Sequence, residues 1–258
     1  MILDSLTAAA SDNLKHTYFE LGRSAVNAKI LREPGFQACV GEFEHPICNF
    51  AAGLDLDRWS AERLARIALD RTMFNVYVTP NDKPEDLGEL LVREGFFRSY
   101  RLLQMVAEPG EVQPRGSLVR AATRYDRLQI ALFMVDQFFN KYGQSFRQQV
   151  AETTARATSL ELLSMRRDGK ILAAAMVCFA NGMAGVYNVC VDAGFRGLGL
   201  GTALMREILA VCAVKNAPAT LQCDAKLEPW YRELGFRRSG EIDVYALPKP
   251  ATVCYNAV

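Results

Sequence analysis

Arg196-Gly197-Leu198-Gly199-Leu200-Gly201-Thr202 follows an apolar, β-prone run, Val189-Cys190-Val191, and precedes Leu204, Ile208 and Val211/Cys212, which recur at helical spacing. Three glycines let a backbone turn sharply and approach a ligand without interference from a Cβ. A helix that begins at such a turn presents unpaired N–H groups and the positive end of its dipole, which suits a phosphate or pyrophosphate. The stretch therefore reads as an anion-binding strand–loop–helix. Two common anion loops do not fit it. The nucleoside triphosphate loop needs Gly-x-x-x-x-Gly-Lys-Ser/Thr, and no lysine follows here. The dinucleotide fingerprint Gly-x-Gly-x-x-Gly/Ala meets Thr202 when started at Gly197 and Leu204 when started at Gly199.

Working outward, the strand that feeds the loop belongs to a meander. Residues 161–165, 171–179 and 186–191 are β-prone and are separated by Asp168-Gly169 and Asn181-Gly182. Both dipeptides tolerate the positive φ of a type I′ turn, so the three runs predict an antiparallel sheet, not the parallel unit of a dinucleotide fold. Helices are predicted over 125–141 and 146–158 upstream of it. Downstream, Asn216 and Pro218 stop the helix after the loop, and a strand (220–223), a short helix near Tyr231 and a last strand (242–247) follow.

The first half of the chain repeats this layout. Gly95-Phe96-Phe97-Arg98-Ser99 resembles Gly235-Phe236-Arg237-Arg238-Ser239 at an offset of 140 residues. Cys48-Asn49-Phe50 and Tyr187-Asn188-Val189 precede these landmarks by nearly the same interval, with strand, helix, strand and helix between. Where the second copy has its glycine loop, the first has Gly53-Leu54-Asp55-Leu56-Asp57-Arg58. The Arg and Asp/Glu mixture of 57–71 reads as a solvated helix face. Two prolines and two glycines within 108–117 mark a linker, which divides the chain into domains 1–107 and 118–258.

The loop together with Trp230-Tyr231-Arg232-Glu233-Leu234-Gly235-Phe236 resembles the GNAT N-acetyltransferase superfamily over roughly residues 118–248. It is similar to tandem members whose N-terminal copy has lost its loop. The resemblance implies an α/β fold of the α+β type, with two tandem GNAT-like domains, each a mixed, mostly antiparallel sheet flanked by helices. It implies acetyl-CoA as co-substrate and direct transfer to the primary amine of a small molecule or peptide. Val189, Cys190 and Val191 would align the pantetheine arm through their backbone. Arg196, Gly197, Leu198, Gly199, Leu200, Gly201 and Thr202 would hold the pyrophosphate. Tyr231 would protonate the leaving thiolate. The family's asparagine after the fifth strand is replaced by Asp224 here. Asp192, Asp224 and Glu228 are candidate bases, beside a water relay. A non-catalytic acyl-CoA sensor or regulatory module would keep the same loop, and transfer to an amine separates the two readings.

Composition bounds the partners. Thirty basic and 29 acidic residues leave a net charge of +1, which recruits neither nucleic acid nor an anionic membrane. The longest apolar run, Ile171–Ala180, is about half the roughly 20 residues of a membrane span, and no signal peptide opens the chain. Seven cysteines without a Cys-x-x-Cys, and two histidines, argue for a reduced, cytoplasmic protein without a metal site.

Overall fold

The computed structural model describes residues 2–110, 114 and 116–248. Part of the linker expected at 108–117, and Cys254, lie outside the described residues.

The first half runs α1 (Ile2–Arg23), β1 (Lys29–Glu33), β2 (Phe36–Val40), β3 (Phe50–Ala52), α2 (Arg58–Leu69), β4 (Asn75–Val78), α3 (Leu87–Arg93) and β5 (Phe97–Ala107). The second runs β6 (Val119–Arg120), α4 (Arg124–Phe138), α5 (Gln144–Arg156), β7 (Glu161–Arg167), β8 (Lys170–Ala180), β9 (Met183–Val191), α6 (Leu200–Val214), β10 (Ala219–Cys223), α7 (Glu228–Glu233) and β11 (Arg237–Ala246). The element order β3-α2-β4-α3-β5 in the first half parallels β9-α6-β10-α7-β11 in the second. The two hairpin turns form as expected, with positive φ at Asp168, Gly169, Asn181 and Gly182.

Among the described residues, eleven strands join one mixed sheet, ordered β1-β2-β3-β4-β11-β5-β10-β9-β8-β7-β6. β3–β4 and β9–β10 are parallel, and the remaining pairs are antiparallel. The two halves do not keep separate sheets. β11 lies between β4 and β5, and β5 lies between β11 and β10, so each half lends its last strand to the other. Arg101 of β5 clasps Asp243 of β11 with two bonds of 2.6 and 2.8 Å, reinforcing the exchange.

Alternation along the strands divides the core. On β8, Ala174, Met176 and Cys178 face α1, α4 and α5, whereas Ala173, Ala175 and Val177 face α6. A third cluster packs α2 and α3 over the first half of the sheet, on the same side as α6 and α7. No helix among the described residues is long and apolar enough to cross a membrane.

The sequence reading did not anticipate α1, which lies across both halves. Its buried Asn13 donates to the carbonyls of Cys178 (3.1 Å) and Ala180 (2.9 Å) and accepts from the Tyr187 hydroxyl (2.8 Å). Gly185 makes room for that side chain, since a Cβ there would lie 2.0 Å from Asn13 Oδ1.

Candidate functional site

β9 and β10 pair only at Ala184/Ala219 and Gly185/Thr220. Beyond those pairs β9 continues to Val191 and β10 to Cys223 without meeting, which leaves a slot between two parallel strands. An extra residue on β9 disturbs its register with β8 between Ala174 and Met176. Asn188 takes φ 53° there, a bulge that bends the strand and increases its twist.

The glycine loop closes the end of this slot. Gly197 and Gly199 both have φ 78°, a conformation costly for other residues, and a Cβ at either would meet nothing within 4 Å. Gly199 caps α6 without a side chain, and the first helical bond is Ala203 N–H to Gly199 C=O. The N–H groups of Leu200, Gly201 and Thr202 thus have no intrahelical partner. Trp230 closes the other side. A Cβ on Gly201 would lie 3.5 Å from its ring, and its Nε1 donates to Thr202 Oγ1 at 3.1 Å. Arg196 braces the turn from outside, donating to Val191 O (3.3 Å) and to Gln137 Oε1 at the end of α4 (3.1 Å).

Tyr231 is buried on the α6/α7 side of the sheet, edge-on to Phe236. Burial, with Cys223 next to it, pushes its phenol well above the usual tyrosine range. Its hydroxyl makes no hydrogen bond among the described residues. Val189 and Val191 turn toward this same core, while Cys190 faces the opposite side and donates weakly to Ala174 O.

Residues 121–245 match the family model of the acetyltransferase (GNAT) domain. The second half of this chain is similar to a GNAT domain. No curated protein matches the chain. Among solved structures, a GCN5-related N-acetyltransferase from Kribbella flavida shares 18% identity, with a TM-score of 0.68 over 94% of this chain and 97% of that one. A GNAT-family protein from Novosphingobium aromaticivorans shares 18% identity at a TM-score of 0.58, over 85% and 91%. A tandem GNAT protein from the clavulanic acid biosynthesis pathway shares 14% at 0.58, over 86% and 83%. These likenesses concern the fold, and they extend through the first half of the chain as well as residues 121–245.

Within the matched region, the three candidate bases are already engaged. Asp192 pairs with Lys170 at 2.9 Å and accepts from Gly194 N–H, and these partners hold its carboxyl below the usual range. Asp224 accepts from Lys226 N–H, and Glu228 accepts from Arg232 at 2.8 and 3.0 Å. Two surface cavities of about 210 and 490 Å³ lie elsewhere, one between Val26, Phe43 and Glu152, the other between Thr123, Leu128 and Arg156.

The corresponding place in the first half is built differently. β3 and β4 also part early, but the chain after β3 re-pairs with the chain after β4. Lys83 N–H donates to Leu54 O, Leu56 N–H donates to Lys83 O, and Asp82 accepts from Leu54 N–H, each at 2.9 Å. At the start of α2, Asp57 accepts from Ser60 N–H and Ser60 Oγ accepts from Asp57 N–H, both at 2.8 Å.

Proposed function

We propose that the GNAT domain is an acyl-CoA-dependent N-acyltransferase that passes acetyl from acetyl-CoA directly to a primary amine of a small molecule or peptide. The observation that carries this reading is an unsealed helix end, α6, facing an unfilled slot between β9 and β10. Coenzyme A supplies the acyl group as a thioester. The N–H groups from Leu198 to Thr202 suit its pyrophosphate, with Arg196 and Gly197 shaping the turn. The free edge of Val189, Cys190 and Val191 suits its amide-bearing arm. Tyr231 is the proton donor to the departing thiolate, and burial keeps its phenol protonated. With Asp192, Asp224 and Glu228 engaged, the proton of the attacking amine leaves through water. A covalent route finds no support in the cysteines: burial pushes Cys190 up to about 12 and Cys223 to about 11, so neither is a ready nucleophile.

In this reading residues 1–107 are a copy that has lost its CoA loop and now walls the acceptor side, joined through 108–117 to the catalytic unit of 118–258. Among the described residues, six buried free cysteines are in keeping with a reducing, cytoplasmic setting.

Titration calorimetry of acetyl-CoA and free CoA against wild type and Gly199→Glu tests the proposal. Binding to wild type, lost in the variant, is expected. No binding to wild type would sink it. Tight binding without transfer to any amine would favour the sensor instead.

A further inference from the structure

Gln222 sits on β10 two residues beyond Thr220, the last residue that pairs with β9, and so borders the slot. Its neighbours Leu221 and Cys223 face the α6/α7 core, so by alternation its side chain points to the opposite face, the side of α1. Its Nε2 is buried and has no hydrogen-bond partner among the described residues. Two other buried polar atoms share that state, Arg147 Nε and Glu161 Oε2, but both belong to side chains in ion pairs, with Asp136 and Arg120. Gln104, its cross-strand partner on β5, is fully engaged. That amide donates to Thr7 O (3.1 Å) and Ser239 Oγ (3.2 Å) and accepts from Ser11 Oγ (3.2 Å). Of two adjacent glutamines on one face, one is locked by the fold and the other has an idle donor.

The first half offers a control. At the repeat's offset of 140, Gln104 corresponds to Val244, whose partner on β4 is Tyr77. Tyr77 therefore stands where Gln222 stands, and its ring packs on Tyr18 at 4.7 Å and near Phe50 at 6.0 Å. Where the slot is closed, that position is filled by packing. Where it is open, the position carries a donor whose desolvation nothing in the fold returns.

We infer that Gln222 selects the amine substrate: its amide N–H donates to a carbonyl oxygen of the acceptor, which is thus an amine with a carbonyl group a short chain from the nitrogen. The inference rests on the acyl-transfer reading. The loop, Trp230 and Tyr231 occupy the other face of the sheet, so a molecule that reaches Gln222 comes from the α1 side, opposite the cofactor. Ser11, Asn13 and Gln104 on that side are neutral, which suits a neutral carbonyl better than a carboxylate that would need a buried counter-charge.

The test uses full-length protein, acetyl-CoA and paired amines, each amino carboxamide against the branched alkylamine of the same shape. Glycinamide is paired with isobutylamine, and longer homologues follow. Wild type is expected to prefer the carboxamide in kcat/KM at one chain length. In Gln222→Met that ratio should fall by about tenfold or more, because one neutral hydrogen bond is lost and the site no longer discriminates. Taking the ratio within each variant cancels the difference in amine basicity. Acetyl-CoA affinity should not change, and Tm should not fall, because no bond within the fold is removed. An unchanged ratio, or a wild type without preference at any length, overturns the role of Gln222 and leaves acyl transfer standing. A wild type that binds acetyl-CoA yet acetylates neither series overturns the carbonyl-bearing small acceptor, and failure with peptide amines as well overturns acyl transfer too.

Discussion

The first turns of α2 and α6 occupy equivalent places in the two halves and are treated in opposite ways. α2 seals itself, because Asp57 and Ser60 satisfy each other's backbone N–H groups and put a carboxylate where a helix attracts an anion. α6 begins at a glycine in the left-handed conformation, with no side chain to cap it. The neighbouring strands follow suit: Leu54, Asp82 and Lys83 zip up the opening beyond β3 and β4, whereas β9 and β10 stay apart. A strand–loop–helix is therefore no anion site by topology alone. On the proposed reading it becomes one where the fold leaves its own backbone unsatisfied.

The largest effect should come from copying the seal onto α6. Gly199→Asp supplies the acid of Asp57 three residues before Thr202, and acetyl-CoA affinity measured by calorimetry should fall at least about 100-fold, as a like charge meets the pyrophosphate. Retained affinity would mean that the helix end is not where the two halves differ. Next, Tyr231→Phe should lower kcat by about 100-fold or more in a thiol-release assay while leaving acetyl-CoA affinity unaltered, the signature of a lost proton donor. Full activity would move that role elsewhere. Asp82→Ala should unzip the first half, stranding Leu54 N–H and removing two bonds to Thr79, at a cost of about 1–3 kcal/mol by denaturant melting. It should create no second acetyl-CoA site, because Asp57 still caps α2.

The smallest effect concerns Asp57 itself. Hydrogen bonds from the Ser60 hydroxyl and backbone hold its carboxyl below the usual range. A depressed folded pKa contributes stability above the unfolded value, about 3.9, and that stability disappears as pH falls through the lower folded value. Asp57→Asn should thus lower Tm slightly near neutrality, and the gap to wild type should close in acid. A gap that widened in acid would contradict the capping role.

Features that depend on a few adjacent residues were legible in the sequence. The glycines of 196–202 and the Asp-Gly and Asn-Gly turns declare a positive φ locally, so the loop and the meander could be placed by eye. The acid of Asp57 was visible too, yet reading 57–71 as a solvated face missed the reciprocal cap, whose signal was the serine three residues on. α1 was hidden because its buried side mixes Leu14 with Ser11, Asn13 and Thr17, which blurs the apolar stripe that marks a packed helix. The strand exchange left no trace, since β5 and β11 would read alike whichever sheet received them. Gln222 is equally silent: an idle amide is a property of its neighbours, not of its letter.

The exchanged strands also bear on how the chain is made. During synthesis β5 is complete long before β10 and β11, the strands that flank it. At roughly 5–20 residues per second, the 112 residues from Ala107 to Ala219, where the first flanking strand begins, take about 6–22 s to emerge. Through that interval an eleven-residue strand has both edges unpaired, an open invitation to another nascent chain. A ribosome pausing between the halves, or a gene cut between them, would lengthen the wait. Two fragments divided near residue 110 and produced together should instead find each other, each holding the strand that finishes the other's sheet.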